Sequence, residues 1–348
     1  MRQPLFLRGA PAGARVRWRA AIFCIGISVW IIGCDEQSGR SGESSQRSLR
    51  VFIVGESEAE PSWPVLKALA GQFHENSRRV EFIAVAPKSS SPQEQQALLD
   101  SLPRRGASVA CLIPTDPPSV RASVNRLATG GCRVVTIARD VPESGRSVYC
   151  GPSETEIGRK AAEACAVALS GRPQTVMTLT STESNTAYRV RSHSFREEIP
   201  LYGPIEIVKE VECGGNIFDA VEIVRRDARS YPRIGCWVLF DDWPLRATSA
   251  KERLLPLGCR MVLCNGNPKY MDRVSSGEIQ AIVTFDFYEC VFNALQAASG
   301  LAEEPTRQRP AFVMVDSVTV TISEMEWYRR CWESWRHGQP SPPQSPWE

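Results

Sequence analysis

The sequence predicts an α/β protein with two lobes, each a doubly wound parallel β-sheet with helices on both faces. Short β-branched segments alternate with helical segments along most of the 348 residues, and this alternation is typical of parallel sheets. About ten predicted strands divide naturally into two sheets, and the chain is long enough for two domains of ordinary size.

The first 33 residues have the composition of an export signal. Five arginines and no acidic residue accompany an apolar segment, residues 20–33, which is shorter than the ~20 residues needed to span a bilayer. The segment ends in Ile32, Gly33 and Cys34, which resemble the lipobox of bacterial lipoproteins. The resemblance implies cleavage before Cys34, lipid attachment to it, and a protein anchored to the cell membrane, facing the periplasm or the cell exterior. An ordinary secretory signal, or an uncleaved anchor with Cys34 incidental, is the alternative.

Two polar segments flank the predicted folded body. Residues 34–48 are rich in Ser and Gly, which predicts a flexible tether. Residues 338–348 are rich in Pro, Ser and Gln, which predicts a disordered tail.

Between these segments, periodicity predicts the elements in order. Strands are predicted at residues 50–54, 80–85, 107–113, 132–137, 175–179, 205–211, 235–240, 259–263 and 281–284,. The clearest helices are predicted at residues 63–74, 92–102, 119–128, 154–169 and 287–298,. Since ligands of parallel sheets bind beyond the carboxyl ends of the strands, two such lobes that face each other predict a binding cleft.

Charge and cysteine content exclude several kinds of function. Removing the five N-terminal arginines from the formal charge of +2 leaves −3, and there is no long basic segment, so a nucleic-acid partner is not expected. The twelve cysteines form no Cys-x-x-Cys motif and only three histidines accompany them, so neither a metal site nor a cofactor is expected. Most cysteines lie in apolar segments, which favours buried free thiols; one or two disulfides remain open in an oxidising compartment.

Three segments resemble the type I periplasmic binding proteins of the ribose-binding kind. The first is Thr-Ile-Ala-Arg-Asp-Val-Pro at residues 136–142, leading to Ile-Gly-Arg-Lys-Ala-Ala at 157–162. The second is Arg-Ser-His-Ser-Phe at 191–195. The third extends from Asn-Pro at 267–268 through Gly-Glu-Ile-Gln-Ala at 277–281 to Asp-Phe-Tyr at 286–288. Their order and spacing extend the resemblance over about residues 49–330.

The resemblance implies two αβα lobes joined by three crossings of the chain. We expect these crossings near Gly151, near Thr284 and at residues 314–318. The first lobe would then hold residues 49–150 and 286–311, and the second 153–283 and 314–332. Closure of the lobes on a hinge would enclose the ligand.

The resemblance also implies a set of ligand-binding residues: Trp63, Arg139, Asp140, Arg191, Asp241, Asn265 and Asp286. Trp63 would stack on a sugar ring, although a core aromatic is equally consistent with its helix. Arg139 follows a predicted strand, where a solvated loop arginine is the alternative. Arg191 could instead lie on a helix surface, and Asp241 could cap the next helix.

Four positions depart from the family pattern. Ala138 and Asn265 stand where the pattern has aspartates, Ile113 stands near a usual asparagine, and Phe285 replaces a glutamine. Each change removes a hydrogen-bonding group or a charge, and each ligand hydroxyl left unpaired would cost ~1–3 kcal/mol. We therefore expect a ligand that is less hydroxylated than ribose or that is anionic; a cleft that binds nothing is the alternative.

The sequence contains no Gly-x-Ser-x-Gly motif, Walker loop or zinc motif, so an enzyme is not expected. A gene regulator of the same fold would begin with a helix-turn-helix instead of an export signal. The expected function is a monomeric extracytoplasmic receptor that captures a sugar or sugar-like, possibly anionic, small molecule and delivers it to an ABC importer. The alternative is a ligand-sensing or degenerate lipoprotein that acts through a membrane sensor.

Overall fold

The computed structural model describes residues 49–170, 174–181, 186–213, 217–249 and 252–342. The predicted signal, the tether and Cys34 lie outside the described residues, as does the predicted tail beyond Pro342. Within the described residues, no helix has the length and apolar character needed to cross a membrane.

The described residues form twelve strands and ten α-helices. The strands are β1 (Leu49–Val54), β2 (Val80–Val85), β3 (Ala107–Leu112), β4 (Arg133–Ile137), β5 (Val148–Pro152), β6 (Thr175–Ser181), β7 (Glu206–Cys213), β8 (Cys236–Leu239), β9 (Arg260–Leu263), β10 (Ala281–Phe285), β11 (Phe312–Val315) and β12 (Ser317–Val320). The helices are α1 (Ser62–Asn76), α2 (Pro92–Ser101), α3 (Pro117–Thr129), α4 (Glu154–Ala168), α5 (Thr186–Glu198), α6 (Ile217–Ser230), α7 (Trp243–Arg246), α8 (Met271–Ser275), α9 (Phe287–Glu303) and α10 (Met325–Arg336).

The strands form two six-stranded sheets. The first sheet has the order β11-β5-β4-β3-β1-β2 and is parallel throughout. The second has the order β12-β10-β9-β8-β6-β7 and is parallel except for β12, which pairs antiparallel with β10. The predicted fold class, two α/β lobes with parallel sheets, is confirmed.

Side-chain alternation explains why each sheet is covered on both faces. In β1, Val51 and Ile53 belong to one apolar cluster, whereas Phe52 belongs to another on the opposite face. In β8, Trp237 and Val238 are divided between two clusters in the same way. Because successive strand residues point to opposite faces, a strand that is apolar throughout needs helices on both sides.

The chain passes between the sheets three times. It leaves β5 at Ser153 for α4, leaves β10 at Asp286 for α9, and passes from β11 to β12 at Asp316. Met314 and Val315 pair with β5 in the first sheet, which corrects their predicted assignment to the second lobe. The crossing itself, at Asp316, lies within residues 314–318, where the sequence places it.

The C-terminal helix α10 contacts both lobes, although the sequence assigns residues 314–332 to the second lobe. It packs against α1 of the first lobe and α8 of the second. Its apolar face, which includes Tyr328, Trp332 and Trp335, joins an apolar cluster with members in both lobes. The apolar face of α10 therefore packs against both lobes.

The first residues of the predicted disordered tail are bonded to the folded body. Gln72 Nε2 donates a 3.0 Å hydrogen bond to the carbonyl oxygen of Gly338, and Trp335 Nε1 donates a 3.2 Å bond to Ser341 Oγ. Residues 338–342 thus extend the contact that α10 makes with α1.

The described residues contain ten cysteines. Nine of them are buried, and Cys259 is partly exposed. They fill space in the sheets and helices as small apolar side chains.

Candidate ligand-binding site

A cavity of about 130 Å³ lies between the two lobes. It opens at the carboxyl ends of β1, β3 and β4 in the first sheet and of β8, β9 and β10 in the second, where parallel sheets bind ligands. The volume is close to the ~150 Å³ that holds a benzene ring, so it suits one small ring or a short chain. The lining residues that carry the following argument are Glu56, Glu60, Ser62, Ala138, Arg139, Tyr188, Arg191, Asp241, Asp242, Arg246, Asn265, Asn267, Lys269, Phe285, Phe287, Tyr328 and Trp332.

Arg139 lines the cavity from the first lobe and is paired there. Its Nη1 lies 2.6 Å from Glu56 Oε1 and 3.2 Å from the carbonyl oxygen of Pro114. Burial raises the pKa of the Glu56 carboxyl, although the charge of Arg139 opposes the shift. Ala138, just before Arg139, has φ of +63°. This left-handed conformation costs a non-glycine residue about 1 kcal/mol, and it turns the chain sharply at the end of β4.

Asp241 anchors a hydrogen-bonded group in the second lobe. Its Oδ2 accepts a 2.5 Å bond from the Tyr188 hydroxyl, and its Oδ1 accepts a 2.7 Å bond from Asn265 Nδ2. Burial disfavours the ionised carboxylate, but Arg246 and Arg139 outweigh it, so the pKa of Asp241 is lowered. Both oxygens of this predicted ligand residue are therefore occupied by the protein.

Arg191 supports the cavity instead of presenting a free guanidinium to it. Its Nη1 donates to the carbonyl oxygens of Phe240 (2.8 Å) and Cys264 (3.2 Å), and its Nε donates to the Glu154 carboxylate. Arg191 is 8 % exposed. One side chain thus ties the carboxyl ends of β8 and β9 to the start of α4.

The cavity lining carries charges of both signs. Asp242 accepts bonds from Arg246 Nε (2.5 Å) and from the Tyr270 hydroxyl (2.6 Å). Asn267 Nδ2 lies 3.5 Å from Glu60 Oε2 of the first lobe. The lining holds four carboxylates (Glu56, Glu60, Asp241 and Asp242) and four cations (Arg139, Arg191, Arg246 and Lys269). The site is therefore rich in charge without an excess of either sign.

Three of the seven predicted ligand residues do not line the cavity. Trp63 packs beside Gly55 and under the ammonium group of Lys67. Asp140 forms a two-point ion pair with Arg146. Asp286 caps α9 by accepting a 2.9 Å bond from the backbone N–H of Glu289.

The other four predicted residues, Arg139, Arg191, Asp241 and Asn265, line the cavity together. The side chains of Ala138, Ile113 and Phe285, which depart from the family pattern, line it as well. These seven positions are thus close in space, although several have their polar atoms engaged by the protein.

Sequence reasoning missed several charged lining residues. Glu56 lies two residues beyond the end of β1, and a polar residue at that place is a signal that could have identified it. Arg246 and Lys269 lie further from their strands, on α7 and in the loop after β9, where strand ends give no guidance.

An aromatic wall completes the cavity. The rings of Phe287 and Trp332 are stacked, with centroids 5.7 Å apart and an interplanar angle of 17°. Tyr328 donates a 2.6 Å bond to the carbonyl oxygen of Gly266, which fixes α10 against the loop after β9. Sequence reasoning missed this wall; the helical spacing of the aromatic residues in 327–335 is a signal that could have identified it.

The described residues contain no group of three or more His, Cys, Asp or Glu side chains arranged to hold a metal ion. The chemistry available at the cavity is hydrogen bonding, charge and aromatic contact.

Comparison with known families identifies the fold. The model of the periplasmic binding protein domain family matches residues 64–305, which is well over half of the chain. The chain belongs to the periplasmic binding protein family. This is a family of binding proteins and not of enzymes. No curated protein matches the sequence.

Solved structures of solute-binding proteins have the same fold. One is an ABC transporter solute-binding protein from Burkholderia graminis in complex with D-arabinose, with a TM-score of 0.65 and 18 % identity, covering 80 % of this chain and 96 % of that one. Another is a Caulobacter myo-inositol binding protein, with a TM-score of 0.63 and 15 % identity, covering 83 % and 97 %. A third is a glucose-galactose binding protein from Geobacillus stearothermophilus, with a TM-score of 0.65 and 16 % identity, covering 79 % and 97 %. At these identities, the similarity is one of fold.

Proposed function

We propose that this periplasmic binding protein captures a small polyhydroxylated molecule, a monosaccharide or a cyclic polyol, by closing its two lobes around it. The observation that carries the proposal is the cavity at the carboxyl ends of both sheets, where carboxylates, guanidinium groups and aromatic rings converge. A hydroxyl both donates and accepts, so it needs acceptors such as carboxylates and donors such as guanidinium groups in one place.

The balance of charge favours a neutral ligand over an acidic one. Four carboxylates accompany the four cations of the lining, so an anion would meet repulsion as well as attraction. This proposal replaces the expectation of a less hydroxylated or anionic ligand, which considered Arg139 and Arg191 without Glu56 and Glu60. The arabinose and myo-inositol bound by two proteins of the same fold have this neutral, hydroxyl-rich chemistry.

Thermal-shift measurements on the full-length protein in detergent would test the proposal. The probes are D-arabinose, D-galactose, myo-inositol and glycerol, with D-galacturonate as the acidic counterpart of galactose. A probe present at about 100 times its Kd stabilises the folded state by ~2.7 kcal/mol, which is readily seen as a rise in Tm.

Arg139→Ala should abolish the shift because it removes the first-lobe guanidinium and leaves the Glu56 carboxylate without its partner. Arg133→Ala is the matched control: Arg133 is exposed at the opposite end of the same strand. The neutral-ligand proposal would be overturned if the protein melted cooperatively and its Tm rose with galacturonate but with none of the neutral probes.

A cleft that has lost binding is the second candidate, and one observation favours it. Arg191, Asp241 and Asn265 direct their polar atoms to the protein itself. In that case no probe would shift the melt, and Arg139→Ala would change only the Tm of the free protein.

We also propose that Cys34 carries the lipid anchor, on the basis of the sequence alone. Cells grown with a radiolabelled fatty acid should yield labelled wild-type protein and unlabelled Cys34→Ser. In detergent phase partitioning, Cys34→Ser should enter the aqueous phase and the wild type the detergent phase. Equal labelling of both proteins would rule out Cys34 as the lipid site.

An ABC importer is the proposed partner because the family and the neighbouring structures are of the transport kind; a membrane sensor is the alternative. Cross-linking of the ligand-loaded protein in its native membrane, followed by mass spectrometry, would distinguish a permease from a sensor kinase.

A further inference from the structure

Exposed arginines cluster at the amino-terminal edge of the first sheet. Because β1, β2, β3 and β4 are parallel, the segments that lead into them meet at one edge,. Five exposed arginines lie there: Arg78 and Arg79 before β2, Arg104 and Arg105 before β3, and Arg133 at the start of β4. Arg50, the second residue of β1, is partly exposed beside them. We call these six residues the basic edge.

Contacts between neighbouring segments show that the basic edge is continuous. The backbone N–H of Leu49 donates a 3.2 Å hydrogen bond to the carbonyl oxygen of Arg79. Arg50 Nη1 donates a 2.9 Å bond to the carbonyl oxygen of Arg105. The edge follows the strand order β2, β1, β3 and β4, which at about 4.8 Å between strands makes it about 15 Å wide.

Neighbouring carboxylates neutralise little of this charge. Of the six arginines, only Arg50 forms an ion pair with a described carboxylate, at 2.9 Å from Glu81. Asp100 and Glu304, which lie at the same edge, are paired with other arginines. Two glutamates without an ion pair among the described residues lie in the last turns of α1 and α9, namely Glu75 and Glu303. Five unpaired arginines against two unpaired glutamates leave the edge with an excess of positive charge.

The chain from the proposed lipid site enters the fold at the same edge. Leu49, the first residue of β1, follows Cys34 by 15 residues. Since a chain spans at most about 3.6 Å per residue, the two residues are at most roughly 50 Å apart. With Cys34 in the bilayer, the basic edge lies within that distance of the membrane. This step rests on the lipid anchor proposed above, whereas the charge of the edge does not.

We propose that the basic edge docks on the anionic phospholipid headgroups of the membrane to which the protein is anchored. Guanidinium groups bind phosphate through two parallel hydrogen bonds, and each arginine close to an anionic surface strengthens binding by about fivefold. The ligand cavity lies at the carboxyl ends of β1, β3 and β4. The docked surface and the cleft are therefore at opposite ends of the first sheet, and lipid contact leaves the cleft free.

Vesicle flotation tests this proposal in the absence of the lipid anchor. Full-length Cys34→Ser protein, the parent for this experiment, is mixed with vesicles that contain phosphatidylglycerol or with neutral phosphatidylcholine vesicles. It should bind the phosphatidylglycerol vesicles more tightly, and a rise in salt should weaken that binding because counter-ions screen exposed charges. Residues 1–33 are the same in every variant, so differences between variants report on the folded body.

The decisive comparison is between two double variants that lose the same charge. Arg79→Ser with Arg104→Ser should weaken binding to phosphatidylglycerol vesicles by about 25-fold, the product of two fivefold losses. Arg229→Ser with Arg233→Ser is the matched control, because both arginines are exposed but precede β8 of the second sheet. The control should bind within about twofold of the parent, since an exposed charge more than a Debye length from the docked surface is screened.

Three results would overturn the proposal. Equal losses in the two double variants would show that net charge, and not the basic edge, controls binding. Equal binding of the parent to both kinds of vesicle would show that anionic headgroups are not recognised. No binding to either kind would leave an acidic protein surface as the complement of the edge.

The experiment is independent of the sugar-binding and lipid-anchor proposals. Both double variants should keep the parent Tm within the range of exposed substitutions, and their Tm should respond to D-arabinose, D-galactose and myo-inositol as that of the parent does. If no sugar shifts the Tm, or if Cys34 proves not to carry lipid, the vesicle comparison still decides whether the basic edge binds an anionic surface.

Discussion

The hydroxyl of Tyr188 donates a 2.5 Å hydrogen bond to the carboxylate of Asp241, and this buried pair holds α5 to the carboxyl end of β8. Asn265 donates to the other oxygen of the same carboxylate. Arg139 of the first lobe stabilises the ionised form of Asp241 from across the cleft. The second-lobe side of the site is therefore organised around one negative charge, 3 % exposed.

Asp241→Asn should lower the free energy of unfolding by ~1–3 kcal/mol at pH 7, because an amide cannot accept from both Tyr188 and Asn265 without leaving a group unpaired. Urea unfolding would measure the change. Asp272→Asn, at a side chain that is 88 % exposed, is the control and should change stability by less than about 0.5 kcal/mol.

Asp241→Asn should also weaken the dependence of stability on pH in the acidic range. Burial opposes ionisation of Asp241, but Arg246 and Arg139 prevail and lower its pKa in the folded state. The ionised carboxylate thus stabilises the fold above the unfolded-state pKa of about 3.9, and this contribution is lost as pH falls through the lower folded-state pKa. The free energy of unfolding, measured from about pH 5 down to about pH 2, should fall less steeply for Asp241→Asn than for the wild type. Parallel curves for the two proteins would contradict this role.

Arg191→Ala should destabilise the protein by ~3–5 kcal/mol, because it leaves the buried Glu154 carboxylate without its counter-charge and two strand-end carbonyls without a donor. Arg196→Ala on the same helix is the matched control. Arg196 is exposed in its pair with Glu210, so its loss should cost less than about 1 kcal/mol. If Arg191→Ala kept wild-type stability but lost ligand binding, Arg191 would be a ligand group as the family resemblance implies.

The native protein should resist alkylation of its thiols. Burial raises the pKa of Cys150, Cys259 and Cys264 to about 12, so the reactive thiolate is scarce at pH 8. Iodoacetamide labelling followed by mass spectrometry should find slow modification, first at the partly exposed Cys259, and full modification in denaturant of the ten cysteines that the structure describes. Rapid labelling of a buried cysteine would contradict its burial. Cysteines that react only after a reductant is added would instead indicate disulfide bonds.

Gly266→Ala should destabilise the protein by ~1–3 kcal/mol through overpacking. The added methyl group would overlap Thr284 Oγ1 and lie 2.7 Å from the Tyr328 hydroxyl, so the contact between α10 and the loop after β9 must open. Gly71→Ala is the control, since open space surrounds that position in α1. It should raise stability by ~0.5–1 kcal/mol because alanine favours the helix. Thermal melts of both variants would show opposite shifts.

Most of the fold follows from local patterns in the sequence. The predicted strands at 50–54, 80–85 and 107–113 differ by at most one residue from the bounds of β1, β2 and β3, because buried parallel strands are continuous apolar segments. The strands β11 and β12 were not predicted separately. They are four residues long and lie at sheet edges, where partial exposure weakens the apolar pattern.

Only the site residues that directly follow a strand could be predicted from the sequence. Arg139 and Asp241 follow β4 and β8 directly, so topology places them at the cleft. Asp140, the neighbour of Arg139, has its carboxylate engaged by Arg146, and no sequence pattern tells which of two adjacent polar residues faces the cavity. Trp63 and Trp332 show the same limit for aromatic residues: both lie on amphipathic helices, and only the packing of those helices decides which ring reaches the cavity.

By itself, the sequence determined two parallel α/β lobes, a cleft between them and the absence of enzyme motifs, because periodicity and strand order are local properties of the chain. The export signal and Cys34 remain sequence predictions. The tertiary structure decided which polar groups are engaged internally and that α10 contacts both lobes. Those properties depend on distances between residues far apart in the chain, which no local pattern encodes.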